Sequence, residues 1–162
     1  NHHATRHTYH AHPDFQLFQI DSPRMDAIYE VITELELPVI VHAGDKRYDF
    51  SGPKRIAHVL EKHPKIELIA AHFGGYSEWE NSMEHLVGKK VWFDTSSSLF
   101  SLPVETANKM IRDHGYEKFL FGSDFPMWDH EGELERFNKL DLTAEMRDAI
   151  LYKNALRLLK ED

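Results

Sequence analysis

The chain has 162 residues, 41% of them hydrophobic and 28% charged, with a formal net charge of −8. This composition is typical of one globular domain, and no apolar run approaches the ~20 residues of a membrane span. The acidic balance without a basic patch argues against a nucleic-acid partner. Because there are no cysteines, disulfides and thiolate metal sites are excluded, so any metal must be bound by His, Asp or Glu.

The polar, His-rich first residues do not have the pattern of a signal peptide. We therefore expect a cytoplasmic protein without a membrane partner, and a small molecule as its substrate.

Strand and helix patterns alternate along the chain. Short apolar runs predict strands at residues 8–12, 38–42, 66–71, 91–94 and 119–122. Helical spacing of apolar residues predicts helices at residues 23–35, 53–63, 76–87 and 103–114, with two or three short helices after residue 130.

The strands recur about every 24 to 30 residues, which is the period of βαβ units and a parallel α/β sheet. A complete eight-stranded barrel needs ~250 residues. The chain is therefore a fragment, a partial barrel that pairs with another chain, or an open doubly wound sheet. Open sheet edges invite pairing, which makes a homo-oligomer one expected arrangement.

Polar side chains follow three of the predicted strands. His42 ends the strand PVIVH, His72 ends ELIAAH, and Asp124 follows FLFGS. The carboxyl ends of parallel strands meet at one rim, where catalytic groups gather. A single histidine at a strand end is more often a hydrogen-bonded core residue, but three residues at the same phase of the repeat favour a metal site.

Four segments carry a family resemblance: VHAGDKRYDF (41–50), AHFGGYSEWE (71–80), FDTSSSLF (93–100) and FGSDFPMW (121–128). Over about residues 11 to 160 the chain resembles the amidohydrolase superfamily, in its amidohydrolase-2 branch. The resemblance implies a partial (β/α)8 TIM barrel, with about strands 4 to 8 present. It also implies a divalent metal, with zinc first and manganese or iron as alternatives.

In such proteins the positions of His42, His72 and Asp124 bind the metal or activate water. The resemblance implies that Asp124 is the general base, and that His72 is a ligand or stabilises the transition state. The implied reaction is hydrolysis of an amide, ester or lactone. Non-oxidative decarboxylation, known in the same branch, stays open, as does a non-catalytic barrel fragment that associates with itself.

One departure concerns the first-strand His-x-His pair, which belongs to a part of the superfamily fold that this sequence lacks. His10 and His12 are two residues apart, so on a strand both face the same side and imitate that pair. We count them as further metal ligands. The alternative is that residues 1–10 are a foreign or disordered segment before a hydrolase domain at 11–162.

The loops after the strands offer candidates for substrate binding. Arg47 and Tyr48 follow the His42 strand, and Trp128 follows Asp124. A guanidinium can pair with a substrate carboxylate in bidentate fashion, although a solvated loop explains Arg47 equally well. Residues 96–98 are three serines suited to hydrogen-bond a substrate. Four histidines on predicted helices are expected at the surface: His58, His63, His85 and His114.

Overall fold

The computed structural model describes residues 8–160, with the side chains of residues 14 and 15 excepted. Five strands form one parallel sheet in the order of the chain. They are β1 (Tyr9–Ala11), β2 (Val39–Val41), β3 (Leu68–Ala70), β4 (Trp92–Asp94) and β5 (Phe119–Leu120).

Helices connect the strands and follow the last of them. They are α1 (Pro13–Gln16), α2 (Asp26–Glu34), α3 (Pro53–Lys62), α4 (Trp79–His85), α5 (Val104–His114), α6 (His130–Phe137), α7 (Ala144–Asp148) and α8 (Asn154–Leu159). Two 3-10 turns, Pro23–Met25 and Tyr116–Lys118, and a π-helical turn, Ala149–Lys153, complete the described elements.

The two faces of the sheet differ in what covers them. Val39, Val41 and Leu68 point to the helical layer and are fully buried in the main core. The intervening residues Ile40 and Ile69, in register on neighbouring strands, point to the other face. Because side chains alternate along a strand, one face builds the core and the other lines the inside of the partial barrel.

All five strands lie where the sequence pattern predicts them, and the fold is the expected α/β partial barrel. The predicted helix at 76–87 is shorter, because residues 74–78 form turns. Gly74 adopts a φ of 71° there, and a Cβ at this position would lie 2.5 Å from the Phe93 ring. The short helix α1 was not predicted from the sequence.

The prediction that His114 lies at the surface is wrong. Its ring is buried and stacks on Phe93, while its Nε2 and Nδ1 atoms meet the Val91 carbonyl and the Gly88 amide at 2.9 and 3.0 Å. His63 is also largely covered, since its side chain is 11% exposed and bonds Asp26.

The free side of β5 is covered by the end of the chain. The amide of Phe121 donates to the Ile150 carbonyl at 2.8 Å. The buried Asn154 amide donates to the carbonyls of Phe119 and Tyr116, each at 2.8 Å. Residues 149–154 therefore satisfy backbone groups that a further strand would otherwise pair with.

Residues 1–7 of the predicted N-terminal segment lie outside the described part of the chain, whereas Tyr9 and His10 belong to β1. Between residues 8 and 160, no helix combines the length and apolar character required to cross a membrane.

Candidate functional site

A cleft of about 1330 Å³ lies at the carboxyl ends of the strands. Five of its lining residues are the predicted metal-site residues: His10, His12, His42, His72 and Asp124. The predicted substrate residues Arg47, Tyr48 and Trp128 line it too. Since parallel strands end at the same rim, residues far apart in sequence meet in one cavity.

Three imidazoles form a continuous row in this cleft. The rings of His12 and His42 stack with centroids 4.4 Å apart and planes 16° from parallel. The Nδ1 atom of His42 lies 3.1 Å from the Nε2 atom of His72. His10 lines the same cleft, but its side chain is exposed.

The environment of His42 keeps its ring neutral. The pKa of His42 is lowered to about 4, chiefly by burial and in addition by the neighbouring His72 and His12. A neutral imidazole carries the free lone pair that a metal ion requires.

His72 is held by the loop that follows β4. Its backbone amide donates to Oδ1 of the buried Asp94 at 2.9 Å, and its Nδ1 lies 3.1 Å from the Ser96 carbonyl. When Nδ1 carries the proton and donates to that carbonyl, Nε2 is the lone-pair atom directed at His42. The same Asp94 oxygen accepts from the Ser96 amide and hydroxyl at 3.0 and 2.6 Å.

Asp94 is a residue of this cleft that the sequence analysis did not single out. Its carboxylate fixes both the backbone and the ring partner of His72. The usable signal is its position, since Asp94 ends β4 at the same rim as His42 and His72.

Asp124 follows β5 and lines the same cleft as the three imidazoles. Its Oδ2 accepts a hydrogen bond of 2.7 Å from the Ser97 hydroxyl. Asp124 and His72 both adopt left-handed backbone conformations, with φ of 57° and 61°. Such conformations are uncommon outside glycine and cluster at functional sites.

The guanidinium of Arg47, predicted to bind a substrate carboxylate, is already paired with a carboxylate of the chain. The Arg47 guanidinium donates to both oxygens of Asp45, with Nη2 2.6 Å from Oδ2, while its side chain is 74% exposed. Tyr48 is 47% exposed, and the Arg47 guanidinium lies 5.5 Å from its ring centroid. Substrate binding by Arg47, Tyr48 and Trp128 stays a prediction.

The donor chemistry of the cleft fits a divalent metal. Metal–nitrogen bonds of about 2.0–2.1 Å at a tetrahedral angle place two ligand nitrogens roughly 3.3 Å apart, close to the His42–His72 separation. Within residues 8–160, however, no group of three or more His, Asp or Glu is already drawn together at metal-binding geometry. His42 and His72 form a preformed pair, and the other predicted ligands line the same cleft.

The family model for amidohydrolases, Amidohydro_2, matches residues 2–160, and the chain therefore belongs to this amidohydrolase family. The family consists of metal-dependent enzymes.

Three solved structures show the same fold. A 5-carboxyvanillate decarboxylase from Sphingomonas paucimobilis matches with a TM-score of 0.70 and 12% identity, over 98% of this chain and 59% of that one. A dihydroxybenzoic acid decarboxylase from a Polaromonas species was solved with bound manganese and the inhibitor 2-nitroresorcinol. It matches with a TM-score of 0.66 and 17% identity, over 88% of this chain and 55% of that one.

The third is a probable 2-pyrone-4,6-dicarboxylic acid hydrolase from Acinetobacter baumannii with citric acid bound. It matches with a TM-score of 0.66 and 18% identity, over 96% of this chain and 63% of that one. The chain thus spans less than two thirds of each structure, as a partial barrel does.

Proposed function

We propose that this chain carries the metal-binding rim of a metal-dependent hydrolase. The observation that supports it most strongly is the 3.1 Å approach of His42 Nδ1 to His72 Nε2, in a cleft that Asp124 also lines. Two neutral imidazoles and one carboxylate are a common ligand set for zinc, and manganese or iron are alternatives.

In this proposal His42 and His72 bind the ion through the two facing nitrogens. His12, stacked on His42, and His10 on β1 are further ligands from the adjacent strand. Arg47, Tyr48 and Trp128 border the cleft and contact the substrate. Arg47 can do so only by sharing or releasing Asp45, because its guanidinium Nε and Nη2 already donate to that carboxylate.

When bound, the ion supplies Lewis acidity, which lowers the pKa of water and polarises a carbonyl. Asp124 accepts the proton from the attacking water and returns it to the leaving group of an amide, ester or lactone. Ser97, which donates a hydrogen bond to this carboxylate, keeps one oxygen in place during both transfers.

Non-oxidative decarboxylation is the second candidate, because two of the similar structures are decarboxylases of aromatic acids. In that case Asp124 or His72 delivers a proton to the carbon that loses CO2. The rim beside Asp124 also exposes apolar side chains, Phe125 at 66% and Met127 at 72%, which suit an aromatic ring.

Metal analysis of wild type, His42→Ala and Asp124→Ala tests the site. We expect about one manganese or zinc per wild-type chain and a clear loss in both variants. Unchanged content in both variants would show that the site is assigned wrongly.

The metal-loaded protein is then assayed with 2-pyrone-4,6-dicarboxylate for ring opening and with 5-carboxyvanillate for CO2 release. Ring opening favours the hydrolase, and CO2 release favours the decarboxylase. A metal-free chain that is inactive in both assays and sediments as a multimer favours a non-catalytic, self-associating barrel fragment.

A further inference from the structure

We propose that Ser97 and Trp128 are positioning residues that orient the carboxylate of Asp124, and that Arg136 and Glu133 hold Trp128 in place for this purpose. The inference builds on the proposed function in one respect only, which is that the Asp124 carboxylate serves the metal or its water.

The direction of the hydrogen bonds follows from the chemistry of the donors. The indole Nε1–H of Trp128 lies 3.0 Å from the Ser97 hydroxyl and can only donate. Ser97 therefore accepts from Trp128 and uses its own single proton for Oδ2 of Asp124, at 2.7 Å. The indole thereby fixes which way the hydroxyl points, and the hydroxyl fixes one carboxylate oxygen.

The backbone reinforces this arrangement. Ser97 is 4% exposed and has a φ of 46°, while Asp124 has a φ of 57°. A left-handed conformation costs about 1–2 kcal/mol for an ordinary residue. Ser97 thus adopts an unfavourable conformation, which an aspartate tolerates better, and such strain is typical of residues whose side chains must reach a defined place.

Two neighbouring side chains pack against the Trp128 ring. Phe100 stacks on it with centroids 4.9 Å apart, and the Arg136 guanidinium lies 5.1 Å from its centroid. Arg136 donates through Nη1 to Oε1 of Glu133 at 2.6 Å, and Glu133 is fully buried. A buried carboxylate needs a charged partner, so Arg136 cannot easily swing away from the ring.

The chain of contacts therefore runs from a partly buried ion pair on α6 to the carboxylate in the cleft. These contacts restrict the rotation of the Asp124 carboxylate, because Ser97 donates a hydrogen bond to one of its oxygens. Partners of metal-binding carboxylates act in this way, and removing them commonly weakens metal affinity about 10–100-fold.

The first test measures the affinity for Mn²⁺ alone by calorimetry. We expect Ser97→Ala to weaken it about 10-fold or more, and Trp128→Phe, which keeps the ring but not the N–H, to weaken it less. The double variant should equal Ser97→Ala, because Trp128 acts through Ser97. Ser101→Ala, an exposed serine in the same loop, is the matched control and should bind as wild type does.

Asp124→Asn separates the two proposals, and it suits the site because asparagine tolerates a positive φ. If Asp124→Asn loses Mn²⁺ and Ser97→Ala does not, the positioning role is wrong and the proposed function stands. If wild type itself binds neither Mn²⁺ nor Zn²⁺, the proposed function fails, and a metal-free measurement decides the positioning role.

That measurement is the indole N–H region of the NMR spectrum of the metal-free chain. The three tryptophans give three signals, and Trp128→Phe identifies the one of interest. We expect the Trp128 signal to shift in Asp124→Asn and its proton to exchange faster with water in Ser97→Ala. The Trp92 signal, whose N–H donates to Glu67, should stay in place. A Trp128 signal unaffected by both variants overturns the proposal.

Discussion

His42 Nδ1 and His72 Nε2 lie 3.1 Å apart, although 30 positions separate the residues in the sequence. The contact arises because β2 and β3 are adjacent and parallel, in the register Val41 with Ala70, and each histidine comes just after its strand. Neutral rings tolerate this approach, whereas two protonated rings would repel each other. The pair is thus suited to a cation shared between its nitrogens and poorly suited to acid.

The low pKa of His42 predicts that the free energy of unfolding decreases as the pH is lowered. This pKa is lowered, chiefly by burial, to about 4 from an ordinary value near 6.5, so the unfolded state binds more protons between these values. Stability is therefore fully present above pH 6.5 and is lost as pH falls towards 4. Between pH 7.5 and 5.0 the loss from His42 is about 2 kcal/mol. Urea unfolding with a chelator present measures it.

In His42→Gln this part of the pH dependence should disappear, so that the variant loses about 2 kcal/mol less than wild type between the two pH values. An equal loss in both proteins would mean that His42 is not the group responsible.

Asp94→Ala should destabilise the protein and disorder His72. The carboxylate accepts from the His72 amide, the Ser96 amide and the Ser96 hydroxyl, and its removal leaves buried donors without a partner. We expect a loss of about 1–3 kcal/mol in the free energy of unfolding. Asp113→Ala is the matched control, since its ion pair with Lys109 is exposed and is worth no more than about 0.5 kcal/mol. Similar losses in the two variants would contradict the role given to Asp94.

Gly74→Ala and Gly88→Ala separate backbone strain from steric overlap. Both glycines have a positive φ, 71° and 81°. A Cβ at Gly74 would lie 2.5 Å from the Phe93 ring and 2.7 Å from the Ser82 hydroxyl, whereas nothing lies within 4 Å at Gly88. We expect a cost of about 1–2 kcal/mol at Gly88 and a further 1–3 kcal/mol at Gly74. Thermal or urea unfolding gives both values, and equal costs would rule out the overlap.

The sequence alone predicts the five strands and the rim on which His42, His72 and Asp124 meet, because alternating apolar runs and strand-end positions are local signals. It does not predict that Asp94 and Ser96 hold His72, since that contact depends on how the loop after β4 folds back. The burial of His114 was missed for the same reason. Helical spacing marks one side of α5, whereas Phe93 and the Val91 carbonyl that receive the ring come from another part of the chain.

The three serines after β4 illustrate the difference between residue type and role. Their sequence suggests substrate hydrogen bonds, yet Ser96 bonds Asp94 and Ser97 bonds Asp124. Both hydroxyls are therefore engaged by carboxylates of the chain itself. The serine at 98 donates to the Ser96 carbonyl and shapes the loop.

Asn154→Ala tests how the free side of β5 is stabilised. The buried Asn154 amide donates to two carbonyls, of Tyr116 and Phe119, at 2.8 Å each, so that its removal leaves both acceptors without this donor. We expect a loss of about 1–3 kcal/mol in the free energy of unfolding and faster amide exchange in β5. Asn138→Ala, an exposed asparagine at the end of α6, should cost less than 1 kcal/mol. If the two variants unfold at the same urea concentration, the edge of β5 does not depend on Asn154.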